Sequence, residues 1–180
     1  MRIDVRQDVS HPLEKVYATM RDNLPGIVPF LSGVESIETT EREESGPGRV
    51  RLLNVWRANK ETVPKAVRSF VSRNMLRWKE HAEWCDEDHS VHWRFETFQL
   101  DKLFECSGGN LFEKTPGGHT RMHIQGELQI YPERIPGVPR FLARRIKPKI
   151  EKFIMKLVGS NLTDLAHGLQ EFLDQNREGS

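Results

Sequence analysis

The chain has 180 residues, with 27 Lys and Arg against 26 Asp and Glu and a formal net charge of +1. That length makes one domain, residues 1–180, the natural expectation, with about two thirds of the unfolded chain's surface buried on folding. With 37 % hydrophobic and 29 % charged residues, the chain is too apolar for wholesale disorder. Its longest uncharged run, Asn23 to Val34, contains two prolines and falls well short of the ~20 apolar residues of a membrane span.

Met1-Arg2-Ile3-Asp4 opens with none of the apolar h-region of a secretory signal, so a cytoplasmic location is expected. Cys85 and Cys106 form neither a CxxC motif nor a disulfide framework, which agrees with a reducing compartment. Residues 2–9 alternate, Ile3 and Val5 against Arg2, Asp4 and Arg6, and predict a strand. Ser10 is a candidate N-cap, with Pro12 and Glu14 in the first turn of a short amphipathic helix running to Arg21. Asn23-Leu24-Pro25-Gly26 breaks that helix, and Ile27 to Leu31 predicts a second short one.

From Val34 to Tyr131 the pattern is mostly β. Val50, Leu52, Asn54 and Trp56 share one face of a run, as do Leu76, Trp78, Glu80, Ala82 and Trp84 of the next. Val91, Trp93, Phe95 and Thr97 follow, and Met122, Ile124, Gly126, Leu128 and Ile130 close the series. One apolar and one polar face per run predicts an antiparallel sheet covered on one side. Thr115-Pro116-Gly117-Gly118 marks a hairpin between strands at 102–114 and 119–131. Gly108, Gly109 and Gly126 fall inside strand patterns, where glycine marks a bend, so the sheet is expected to curve.

Two segments interrupt the strands. Residues 61–72 place Val63, Ala66, Val67, Phe70 and Val71 at helical spacing among Lys65 and Arg68. After Pro132, Pro136 and Pro139, a long helix is expected from about Phe141 or Lys149 to Leu173. Its entry is strongly basic: residues 134–156 hold eight Lys and Arg against the single acid Glu151. The fold class is therefore α+β, a curved antiparallel sheet of six or seven strands around a long C-terminal helix.

This order of elements resembles the START-like superfamily of helix-grip, pollen-allergen-like proteins. Gly48-Arg49-Val50-Arg51-Leu52-Leu53, Val63-Pro64-Lys65-Ala66-Val67 and Trp78-Lys79-Glu80-His81-Ala82-Glu83-Trp84 are similar to the PRELI-like branch. The resemblance implies a cavity between sheet and helix that takes a lipid or other apolar small molecule, with residues 61–72 as its lid. Some members of the superfamily are polyketide cyclases.

The inward register gathers Asn54, Glu80, Thr97, Cys106 and Asn110 among aromatic side chains, the pattern of an apolar pocket with a few polar groups. Glu80 is the sharpest of these, because a lone buried carboxylate is costly. Asn54 and Glu80 are the expected contacts to a ligand's polar head. Trp56, Trp78, Trp93, Phe95, Met122 and Ile124, with Ile154, Leu157 and Leu165 from the helix, are the expected wall, and Phe70 the apolar anchor of the lid. Structural readings stand beside these: Glu80 paired with an internal arginine, and the aromatics as plain core.

Arg140, Arg144, Arg145, Lys147, Lys149 and Lys152 alternate with Phe141, Leu142 and Ile146, which suits peripheral contact with an anionic membrane; a solvated helix face is the alternative. A nucleic-acid partner is not expected, since inward-facing aromatics leave no stacking platform. His81, His92, His119 and His123 fall on the outward register, and no HExxH or zinc spacing occurs, so no metal or cofactor is expected. No GxSxG, P-loop or GxGxxG is present, and no residue is singled out as catalytic. A cyclase or dehydratase enlisting Glu80, Asn54, Cys106 and Thr97 is the alternative function, and a filled-core scaffold with a protein partner a third.

Overall fold

The computed structural model of the chain describes residues 1–62, 73–98, 104–131, 134, 141, 145, 147–148 and 164–176. Strand β1 (Arg2–Val9) is followed by helix α1 (Leu13–Asp22) and a 3-10 helix (Leu24–Phe30). Strands β2 (Val34–Gly46), β3 (Arg49–Ala58), β4 (Arg77–Cys85), β5 (Ser90–Thr97), β6 (Phe104–Lys114) and β7 (Thr120–Ile130) come next. A short 3-10 turn, Lys60–Thr62, follows β3, and another, Arg73–Leu76, precedes β4. Helix α2 covers residues 164–175. The strands form one seven-stranded antiparallel sheet in the order β1-β7-β6-β5-β4-β3-β2.

The alternation of the sequence dictates this sheet. Each run of inward apolar residues meets its neighbour in register, so Trp56 stands opposite Trp78, Ala82 opposite Trp93, and Phe112 opposite Met122. β1 is hydrogen-bonded to β7, pairing Val5 with Ile124, and so the first strand lies beside the last. Val16, Tyr17 and Met20 form the buried stripe of α1, and Leu165, Ala166, Leu169 and Leu173 that of α2. Both cysteines are free and buried.

Two local expectations are corrected. Ser10 does not cap α1: the residue before the helix is Pro12, with no side-chain cap, and the Ser10 backbone N–H instead donates to Gln170 Oε1 of α2 at 2.6 Å. The second helix begins at Leu24 rather than Ile27 and is of the 3-10 type with Pro29 inside it. A proline removes a backbone donor and discourages a longer α-helix. Strand β2, which no clear alternation announces, is an exposed edge with Ile37 its one buried residue.

Candidate functional site

The inner face of the sheet is laid out in rungs that run across the strands. One carries Ile37, Trp56, Trp78 and Thr97, and the next Thr39, Asn54, Glu80, Phe95, Cys106 and Leu128. Glu80 therefore faces inward, between Asn54 and Phe95, as the alternation predicts.

Three side chains organise Glu80. The Thr39 hydroxyl donates to Asn54 Oδ1 at 2.7 Å, which turns the Asn54 amide so that its Nδ2 donates to Glu80 Oε2 at 3.0 Å. Trp56 Nε1 donates to the same Oε2 at 2.8 Å. Asn54 is 1 % exposed, so the centre of the network is sheltered from water, while Trp56 and Glu80 are half-buried and Thr39 is exposed. Burial pushes the Glu80 carboxyl above the ordinary carboxylate value, and the two donors only partly oppose the shift. Among the described residues no cation accompanies it, and the internal arginine pairing is not seen there.

Aromatic rings wall this part of the face. Trp56 and Trp78 stack with centroids 5.8 Å apart, Trp78 meets Phe95 at 6.1 Å, and Phe95 stacks on Trp93 at 5.0 Å. Burial divides the inner face in two. Val50, Trp84, Val91, Phe112, Met122 and Ile124 are all buried in one core cluster with residues of α1 and α2. Trp56, Trp78, Glu80, Phe95, Thr97 and Phe104 are only half-buried. The polar network thus sits at the open end of an otherwise packed face.

The expected residues distribute accordingly. Asn54, Trp56, Trp78, Glu80 and Phe95 come together around the network, with Trp93 one rung inward. Met122 and Ile124, at 0 % and 1 % exposure, lie in the packed half of the core, as does Leu165 on α2. Phe70, Ile154 and Leu157 lie outside the described residues, and so does the expected lid beyond Thr62. Of the basic residues, Arg145 is exposed and Lys147 half-buried; Arg140, Arg144, Lys149 and Lys152 lie outside the described residues.

Sequence reasoning misses Thr39, whose strand shows no pattern, and His11. His11 is 1 % exposed and its Nε2 contacts Asp174 Oδ1 at 2.8 Å, tying the β1–α1 connection to the end of α2. On the outer face an open groove of about 540 Å³ is bordered by Arg51, Leu53, His81, Glu83, His92 and Arg94. It carries exposed ion pairs such as Arg51–Glu83 at 3.1 Å, and such pairs contribute little. None of its polar residues is held as Glu80 is. No helix among the described residues is long and apolar enough to cross a membrane.

A curved seven-stranded antiparallel sheet with short helices and a C-terminal helix defines the START-like, helix-grip fold, and this chain has it. No protein-family model and no curated protein sequence matches the chain. Among solved structures it is similar to the protein TTHA0849 from Thermus thermophilus, at 23 % identity and a TM-score of 0.65 over 94 % of this chain and 97 % of that one. It is similar to the Zhui aromatase/cyclase from Streptomyces sp. R1128, at 11 % identity and a TM-score of 0.64 over 96 % and 95 % of the two chains. A START superfamily protein from Mycobacterium smegmatis shows 12 % identity and a TM-score of 0.56 over 97 % of each chain. At these identities the likeness is one of fold.

Proposed function

We propose that the chain binds a lipid or other apolar small molecule against the open end of the inner face, with its polar head at Glu80 and Asn54. One observation carries this reading: a carboxyl without a cation among the described residues stands in a wall of half-buried Trp and Phe rings, held on one oxygen by Asn54 and Trp56. A group so placed is costly to folding, and a ligand's polar group would offset that cost. Trp56, Trp78 and Phe95 form the apolar wall, and residues 61–72 serve as the lid. The basic segment 140–156 holds the protein on an anionic membrane while ligand is exchanged, and in that setting the protein transfers lipid between membranes.

The likeness to an aromatase/cyclase supports a second reading, a cyclase- or dehydratase-like enzyme in which Glu80 moves a proton. Turnover separates the two, since a carrier returns its ligand unchanged. The protein, purified without added ligand, is extracted and compared by mass spectrometry with an unrelated control protein. An enriched lipid supports the carrier and calls for a vesicle-to-vesicle transfer assay; an enriched aromatic polyketide brings the enzyme forward. An empty extract, together with unchanged tryptophan fluorescence on titration with phospholipid and fatty acid, favours the filled-core scaffold.

A further inference from the structure

The two oxygens of Glu80 are not equivalent. Oε2 accepts from both Asn54 Nδ2 and Trp56 Nε1, which occupies its lone pairs in the carboxyl plane. Oε1 has no hydrogen-bond partner among the described residues. Thr39 fixes the sense of the arrangement. Its hydroxyl donates to Asn54 Oδ1, and in this arrangement the Asn54 amide presents its NH₂ to Glu80. With Oε2 accepting from both donors, a proton on Glu80 has its place on Oε1.

A second unfilled donor lies in the adjoining rung. Trp78 Nε1 is buried and has no hydrogen-bond partner among the described residues, and its ring stacks on that of Trp56. A ligand that satisfied both groups would bring acceptor oxygen and no charge. A cationic head would instead require an ionised Glu80, which partial burial among aromatic rings opposes.

We infer that Glu80 acts as a neutral hydrogen-bond donor through Oε1, and that the site selects an uncharged apolar molecule bearing a carbonyl or ester oxygen over an amine or a plain hydrocarbon. The inference rests on the binding function proposed above. Desolvation of the carboxyl supports it, since burial favours the protonated form. Asn54 and Thr39 are positioning residues that set which oxygen carries the proton.

The test uses the full chain and three probes of equal carbon number, methyl octyl ketone, decylamine and decane, titrated at neutral pH against the fluorescence of the tryptophans. The ketone is expected to bind about tenfold more tightly than decane, the worth of one net hydrogen bond, and more tightly than decylamine. Glu80→Gln, whose amide can accept from Asn54 and Trp56 and still donate, is expected to keep the ketone preference. Glu80→Leu is expected to bind ketone and decane equally. Tighter binding of decylamine, or loss of the ketone preference in Glu80→Gln with a folded near-ultraviolet dichroism spectrum, would overturn the inference and leave the binding site standing. Failure of all three probes to bind the wild-type chain would overturn the inference and the binding function together.

Discussion

The indole of Trp93 lies across Gly108: a Cβ built on Gly108 would stand 2.7 Å from Trp93 Cζ2. The same Cβ would meet the Gln125 carbonyl oxygen at 2.2 Å and Gly126 Cα at 2.7 Å, and the Trp93 ring also covers Gly126. Trp93 Nε1 donates to the buried Asn110 Oδ1 at 3.0 Å, so the ring cannot slide away without losing a buried bond. Gly108 and Gly126 face each other across β6 and β7, and together they let the sheet accept a tryptophan against its backbone. Gly108→Ala is expected to destabilise the fold by about 1–3 kcal/mol, the usual cost of overpacking. Urea denaturation measures this, and an unchanged midpoint would show that Trp93 is not seated there.

The Glu80 carboxyl gives stability a distinctive pH dependence. Its folded-state pKa is raised above the ordinary 4.5 by burial, so between 4.5 and that higher value the folded chain holds a proton that the unfolded chain has released. Stability from this group is therefore full below the unfolded pKa and is lost as pH rises through the folded one. Asp22, lowered first by its hydrogen bond to Arg21, and Glu96, lowered first by His81, act in the opposite sense at lower pH. Comparison with Glu80→Gln isolates Glu80. The variant is expected to gain stability relative to the wild type as pH rises above 4.5, read from urea midpoints at a series of pH values. A difference independent of pH would mean that Glu80 is not desolvated in solution.

His11 is the link between the two ends of the chain. Thr120 Oγ1 donates to its carbonyl at 2.7 Å, while its ring contacts Asp174 on α2. His11→Ala removes a fully buried ring and that contact, and is expected to cost about 2 kcal/mol or more. Hydrogen exchange should rise first in the amides of 164–175. Uniform protection in the variant would show that α2 is anchored without the His11–Asp174 contact.

The membrane docking proposed for the basic segment predicts a charge effect and no headgroup specificity. Arg144→Glu combined with Arg145→Glu is expected to weaken binding to anionic vesicles by at least about thirtyfold, given about 1 kcal/mol for each basic residue near the surface. Neither form should bind neutral vesicles. Equal sedimentation of wild type and variant with anionic vesicles would remove the docking role.

Much of the sheet is legible in the sequence because its inner residues obey a period of two. The alternation of β3, β4, β5 and β7 places Asn54, Trp56, Trp78, Glu80 and Phe95 on one face, and the register agrees. The glycines in β6 and β7 announce a bend, and Gly108 and Gly126 prove to seat Trp93. β2 is not legible, since an edge strand with one buried residue carries no apolar period. Its register also shifts between Thr39 and Glu41, which turns Arg42 toward α1, where it pairs with Asp22 at 2.8 Å. Thr39 escapes notice for the same reason. His11 escapes it because its burial depends on Asp174, 163 residues away, and nothing local signals such a contact.

The position of the bound ligand decides between the inner face and the outer groove. Nuclear Overhauser contacts from methyl octyl ketone bound to the full chain locate it directly. Contacts to the Trp56, Trp78 and Phe95 rings, without contacts to the packed Trp84, are the expected result. Contacts confined to the outer groove at His81, His92 and Arg94 would contradict it.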